Sequence, residues 1–163
     1  MTKRSSIEAR LPTAVLQRAS LRGDEYAWAL GDIPLVIDAV RDADLLNVGG
    51  RLQFRIPEKF GGGACECYWV SVDTFSSVPK DLRWGDRVAK TAKTALAEYL
   101  YLKSKYDFIQ EGMNEFGDRL AEAEKRGGDI RDMMCFAWYA LDEKEEAALD
   151  KKSQLLKFIN IPE

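Results

Sequence analysis

From residue 51 to residue 56 apolar and polar side chains alternate without a break. Leu52, Phe54 and Ile56 point one way, and Arg51, Gln53 and Arg55 the other. A period of two marks a half-buried strand. Pro57-Glu58-Lys59-Phe60-Gly61-Gly62-Gly63 then reads as a hairpin loop, and residues 64–72 as the returning strand. That strand is expected to set Cys65, Cys67, Trp69 and Ser71 on one face and Glu66, Tyr68, Val70 and Val72 on the other. A hairpin by itself is marginal in water, so the rest of the chain has to cover its apolar face.

Trp84, Val88, Ala92, Ala95, Leu96, Tyr99, Leu102, Tyr106 and Ile109 follow the 3.6-residue period. They predict a long helix on the hairpin, started by Asp81 or Asp86 and weakened or kinked at Gly112 and Gly117. Upstream, residues 12–22 suit a short helix. Tyr26, Trp28 and Leu30 alternate with alanines and predict a short strand. Asp32 is expected to cap a helix with Pro34 in its first turn. Ile33, Val36, Ile37 and Val40 share one face of that helix, which should end near Asp44. Gly49-Gly50 reads as backbone of unusual φ between this helix and the hairpin.

Downstream, residues 118–126 continue as a charged helix, and Gly127-Gly128-Asp129 reads as a stop followed by a cap. Ile130, Met134, Ala137, Trp138 and Leu141 form another apolar stripe at helical spacing. Asp142 and Glu145 suit a reciprocal cap on a last helix carrying Leu149, Leu155, Leu156 and Ile159. The fold class is therefore α+β: a small antiparallel sheet of about three strands packed against helices, with a helical C-terminal half. A chain of 163 residues suits one domain. It divides into a frayed arm (1–10), an α+β core (24–110) and a helical tail (111–163).

The chain has no histidine. That removes the commonest general base, the commonest zinc ligand and the usual partner of a serine or cysteine nucleophile. Cys65, Cys67 and Cys135 are too few for a closed zinc site, and their spacing is not that of a redox C-x-x-C pair. They read as reduced thiols packed as small apolar groups. Gly61-Gly62-Gly63 lacks the following Lys-Ser or Lys-Thr and helix of a phosphate loop. The acids Asp142, Glu143, Glu145 and Glu146 fit a solvated helix start. No catalytic residue, metal ligand or cofactor is assigned.

Arg51, Arg55 and Tyr68 faintly suggest a nucleic-acid reader, but the net charge of -3 opposes one. No apolar run approaches the ~20 residues of a membrane span, and residues 1–10 lack a signal-peptide core. The expected compartment is the cytoplasm, with neither nucleic acid nor membrane as partner. Charge is uneven: residues 1–22 carry +4 and residues 129–150 carry -5. The acidic segment is suited to steering a basic partner.

The order of short motifs from Trp28 onward resembles a family of bacterial immunity proteins, the antidotes of polymorphic toxins. The matching residues are Trp28-Ala29-Leu30, Gly49-Gly50, Tyr68-Trp69, Trp84 and Tyr99. The stretch from Gly112 onward has no counterpart in that pattern. The resemblance implies a non-enzymatic cytosolic protein that neutralises a toxin by stoichiometric binding. Glu58, Asp73 and Asp81 near the hairpin would mimic the substrate of a nuclease with a basic cleft. Trp84 would add an aromatic anchor. The alternatives are a small enzyme using a carboxylate or a thiol, and a subunit of a larger assembly. A homo-oligomer is compatible with each.

Overall fold

Residues 134–141 form a strand rather than part of a helical stripe, and it lies in the middle of the sheet. The computed structural model describes residues 6–148. Five strands, not about three, form one antiparallel sheet: β1 (Ser20–Arg22), β2 (Glu25–Trp28), β3 (Leu46–Arg55), β4 (Ala64–Asp73) and β5 (Met134–Leu141). Their order is β1-β2-β5-β3-β4. β5 is hidden from sequence periodicity because it is buried on both sides. Phe136, Trp138 and Ala140 enter the main core, while Cys135 and Ala137 are buried on the opposite face. A strand covered on both faces shows no alternation. The helical half expected for 111–163 is corrected accordingly, because β5 pairs with both β2 and β3.

Helices α1 (Thr13–Leu16), α2 (Ile33–Asp42), α3 (Trp84–Lys105), α4 (Phe108–Lys125) and α5 (Ile130–Met133) pack with the sheet, and residues 143–148 are helical as well. Their buried residues join a core on one face of the sheet. In α2 the expected apolar face, Ile33, Val36, Ile37 and Val40, is at most 1% exposed. Asp32 does not cap it; its carboxylate takes Arg18 at 2.8 Å instead. The helix expected to run from Trp84 past Ile109 is two helices. Tyr106 turns extended, and Asp107 caps α4 by accepting the Gln110 N–H at 3.1 Å. Neither Asp81 nor Asp86 caps α3, whose N-cap is Arg83. Gly112 lies within α4, where the Phe54 ring occupies the place of a Cβ; the kink falls at Phe116, beside Gly117.

The hairpin β3–β4 forms with a bulge that changes its expected faces. Arg51 pairs with Ser71, but the next residue, Leu52, pairs with Cys67. Tyr68, Trp69 and Val70 are thus extra residues on β4, and the alternation shifts phase across them. Cys65, Cys67, Val70 and Val72 all face the core. Tyr68 and Trp69 are left 63% and 42% exposed. Gly49 and Gly50 lie inside β3, not before it. Gly49 has φ 139, and a Cβ there would strike the Val72 carbonyl.

The amino-terminal segment from Ser6 is packed rather than frayed. Ile7–Arg10 forms a 3-10 turn, and Glu8 is only 9% exposed. Its Oε1 accepts the Ala140 N–H at 3.2 Å. Burial is the main cause that raises the Glu8 pKa from its ordinary value of 4.5. Folding therefore favours the protonated form. The native state should lose stability as pH rises from about 4.5 through the folded value. Glu8→Gln keeps an acceptor for Ala140 and should be more stable than the parent at pH 7, with no difference at pH 4. Urea melts across that range check this; a pH-independent difference would contradict it.

The acidic run 129–150 is not one surface in its described part. Asp129 caps α5 through the Arg131 N–H, and Asp142 accepts the Glu145 N–H at 2.7 Å. Asp142 also pairs with Arg10, and Glu146 pairs with buried Arg87 at 2.6 Å. Leu149, Leu155, Leu156 and Ile159 lie outside the described residues. Among the described residues, no helix is long and apolar enough to cross a membrane.

Candidate functional site on the open face of the sheet

Among the described residues no helix covers the second face of the sheet. Antiparallel pairing fixes what stands there. Ser20, Ala27, Ala137, Arg51 and Ser71 lie in one row across the strands. Ala27 and Ala137 are small and fully buried under longer neighbours. Arg55 runs across the sheet from β3: it donates to the Ser20 carbonyl at 2.7 Å, the Glu25 carbonyl at 3.0 Å and the Gln53 side chain at 3.0 Å. Gln53 is 1% exposed, and its Nε2 donates to Glu25 Oε1 at 2.6 Å and Glu66 Oε1 at 2.5 Å. The Tyr139 hydroxyl donates to the other Glu25 oxygen at 2.6 Å.

Arg51 is the most exposed cation of this network. Its guanidinium lies 5.0 Å from the Tyr68 ring centre and 5.5 Å from that of Tyr139. The nearest carboxylate oxygens are 3.5 Å away on Glu66 and 4.0 Å away on Glu25. Its Nε is buried without a hydrogen-bond partner. The two aromatic faces therefore position Arg51 as much as the acids do. A hollow of about 200 Å³ beside it is lined by Gly49, Arg51, Tyr68, Ser71, Asp73 and Tyr139, among others.

Glu25 and Glu66 are two carboxylates sharing one amide donor, which invites an acid–base reading. Burial raises the Glu25 pKa, but hydrogen bonds from Tyr139 and Gln53 and the charges of Arg51 and Arg55 outweigh it and hold the carboxyl below its usual range. A catalytic acid at neutral pH needs the opposite shift. The arrangement is suited to holding Arg51 and to offering fixed polar groups.

The thiols are buried and electrically disfavoured as nucleophiles. Burial, then the neighbouring Cys65, Glu111 and Glu115, pushes Cys67 up to about 12, and burial pushes Cys135 to about 11. Cys65 is raised as well, again mainly by burial. All three should resist an aromatic disulfide reagent at pH 8 and react together once the chain is unfolded. Rapid native labelling of any one would contradict this. Among the described residues, no group of three or more Cys, Asp or Glu is placed to hold a metal ion.

The four residues expected to bind a partner are not brought together. Glu58 sits in the turn after β3, its carboxylate beside the Gly62 backbone. Asp73 is at the far end of β4, about 20 Å along the strands from the pairing of Arg55 with Ala64. It accepts the Phe75 N–H at 2.9 Å and the Ser76 hydroxyl at 3.1 Å. It also borders the hollow beside Arg51. Asp81 is exposed in the loop before α3. Trp84 opens α3 and donates through Nε1 to the Asp44 carbonyl at 3.1 Å.

Alternation sets Arg51, Gln53 and Arg55 on this face, but it does not identify Glu25, Glu66 or Tyr139 as their partners. Polar positions of a strand that should have been solvated were the available signal. Most of the ordered motifs also have internal jobs. Trp28 donates to the Val15 carbonyl at 2.9 Å, and Tyr99 to that of Leu30 at 2.7 Å. Tyr68 and Trp69 are the exposed pair. Comparison with protein-family models, with curated proteins and with solved structures gives no match.

Proposed function

We propose that this chain is a non-enzymatic protein-binding protein, a cytosolic immunity protein that neutralises a bacterial toxin by stoichiometric occlusion. The observation that carries this reading is Arg51 held between Tyr68 and Tyr139 on a sheet face that no helix among the described residues covers. Arginine and tyrosine dominate the energetics of protein interfaces. A side chain already immobilised loses little entropy on binding. The order of motifs from Trp28 to Tyr99 supports the choice of an immunity protein. A carboxylate or thiol enzyme gains no support from Glu25 or from the three thiols, whose shifts oppose such roles.

Co-expression with each toxin encoded beside its gene tests the proposal. The parent chain should restore growth against one of them. Arg51→Ala and Tyr68→Ala should each weaken binding about 30-fold, corresponding to ~2 kcal/mol, with unchanged circular dichroism. Growth independent of the protein, for every neighbouring toxin, would reject the immunity reading. Full protection by both variants would reject this face as the docking surface.

A further inference from the structure

Two arginines stand two residues apart on the open face and are held in different ways. Arg55 is tied by its own hydrogen bonds to Ser20, Glu25 and Gln53. Arg51 is not. Its nearest carboxylate oxygens are Glu66 Oε1 at 3.5 Å and Glu25 Oε2 at 4.0 Å, and its Nε has no hydrogen-bond partner. The place of those charges, rather than a short bond to one of them, therefore sets where the guanidinium rests between the two tyrosine rings. Glu25 comes from β2 and Glu66 from β4, on opposite sides of β3. Like charges that share a site repel. What draws these two together is the Gln53 amide, whose Nε2 donates to Glu25 Oε1 at 2.6 Å and to Glu66 Oε1 at 2.5 Å. Its carbonyl accepts the Arg55 Nε–H at 3.0 Å. All three bonds have a charged partner, the stronger kind. The amide cannot be turned over: its oxygen would then face two carboxylates, and its NH2 a guanidinium. With 1% of its surface exposed, Gln53 has no water to replace these partners.

We propose that Gln53 is the positioning residue of the docking face. Its amide joins Glu25 and Glu66 into one fixed counter-ion, and that pair keeps the Arg51 guanidinium between Tyr68 and Tyr139. Gln53 touches no partner itself and acts through Arg51. Its effect on affinity rests on the protein-binding reading; its effect on the placement of Arg51 does not.

Side-chain NMR of the full chain tests the proposal. Next to two ring faces, the Arg51 Hδ protons should resonate well upfield of those of exposed Arg41. Both Gln53 amide protons should exchange with solvent at least about ten-fold more slowly than those of exposed Gln17. Gln53→Leu, which keeps bulk but donates nothing, should return the Arg51 Hδ protons to the Arg41 position. Gln53→Glu, which keeps the shape and adds a third carboxylate, should do the same at pH 7. Val40→Ala in the core face of α2, which costs packing alone, should leave them in place. Against the toxin found by co-expression, Gln53→Leu should weaken binding about ten-fold in the parent and not at all in an Arg51→Ala background. Unmoved Arg51 resonances in folded Gln53→Leu, or equal losses of binding in both backgrounds, would overturn the proposal. So would Gln53 amide protons that exchange as fast as those of Gln17, a measurement on the parent that needs no variant to fold. Displaced Arg51 resonances with undiminished binding would reject this face as the docking surface and leave the placement of Arg51 by Gln53 standing.

Discussion

Gly50→Ala should destabilise the protein by about 3 kcal/mol or more, enough to remove most of the stability of an ordinary domain. Gly50 pairs with Trp138 on one side and Val72 on the other, in the centre of the sheet. A Cβ there would strike the Ala137 carbonyl and lie 2.8 Å from the Trp138 ring. The carbonyl belongs to a buried strand and the ring to a side chain with no exposed surface, so neither has room to yield. Gly85→Ala supplies the contrast. Nothing lies within 4 Å of its Cβ position, and it stands in the first turn of α3. Alanine there should stabilise by about 0.5 kcal/mol through helix propensity and a less free unfolded chain. Thermal melts of the two variants should move in opposite directions. A Gly50→Ala variant melting within about 2 °C of the parent would contradict the packing argument.

The contrast between these glycines shows what was legible in the sequence. A Gly-Gly pair announces special backbone but not the reason for it. At Gly49 the reason is a positive φ together with a close approach; at Gly50 it is the approach alone. Local signals are legible where one face of an element meets the core and the other meets water. The face of α2 is of that kind. The same signals failed where burial is two-sided or where a tertiary contact sets a boundary. β5 looks helical because apolar residues fill both its faces. α3 ends at Tyr106 because Asp107 caps a new helix, although the apolar period runs on through Ile109. The helix expected over residues 12–22 is corrected to α1 over Thr13–Leu16 followed by β1, because the three strand residues are exposed and carry no alternation that would mark a strand.

The candidate site was less legible for the same physical reason. Arg51, Gln53 and Arg55 were placed on the outer face by alternation alone. Their partners come from strands far apart in sequence: Glu25 on β2, Glu66 on β4 and Tyr139 on β5. Joining them requires the strand order β2-β5-β3-β4, which a helical reading of β5 forbids. The bulge on β4 was invisible as well, and it is what exposes Tyr68 and Trp69 together. Asp73 and Trp84, which sit at loop ends, stand out in the sequence only by charge and aromaticity. The fold uses both of them locally, in a turn and in holding the Asp44 carbonyl.

Asn47→Leu should cost about 4 kcal/mol and should also disturb the open face. Asn47 has no exposed surface. Its Nδ2 donates to the Ile37 carbonyl at 3.1 Å, and its Oδ1 accepts the Trp138 Nε1–H at 2.8 Å. Its backbone N–H donates to the Thr91 hydroxyl, and its carbonyl accepts from the Thr74 hydroxyl. One side chain thus ties α2 and β5 to β3, and its backbone adds α3 and the loop after β4. Leucine fills a similar volume but leaves the Ile37 carbonyl and the Trp138 N–H buried and unsatisfied, each at about 1–3 kcal/mol. A double-mutant cycle isolates this cause. Trp138→Phe removes the orphaned donor, so the double variant Asn47→Leu/Trp138→Phe should be less destabilised than the sum of the singles by about 1 kcal/mol or more. Strict additivity would mean that lost packing, not an unsatisfied group, sets the cost. The same lesion adjoins Val48 and Gly49, which line the hollow beside Arg51. Any population of Asn47→Leu that remains folded should therefore bind a partner more weakly than its folded fraction explains, which connects the buried polar pin to the surface proposed for recognition.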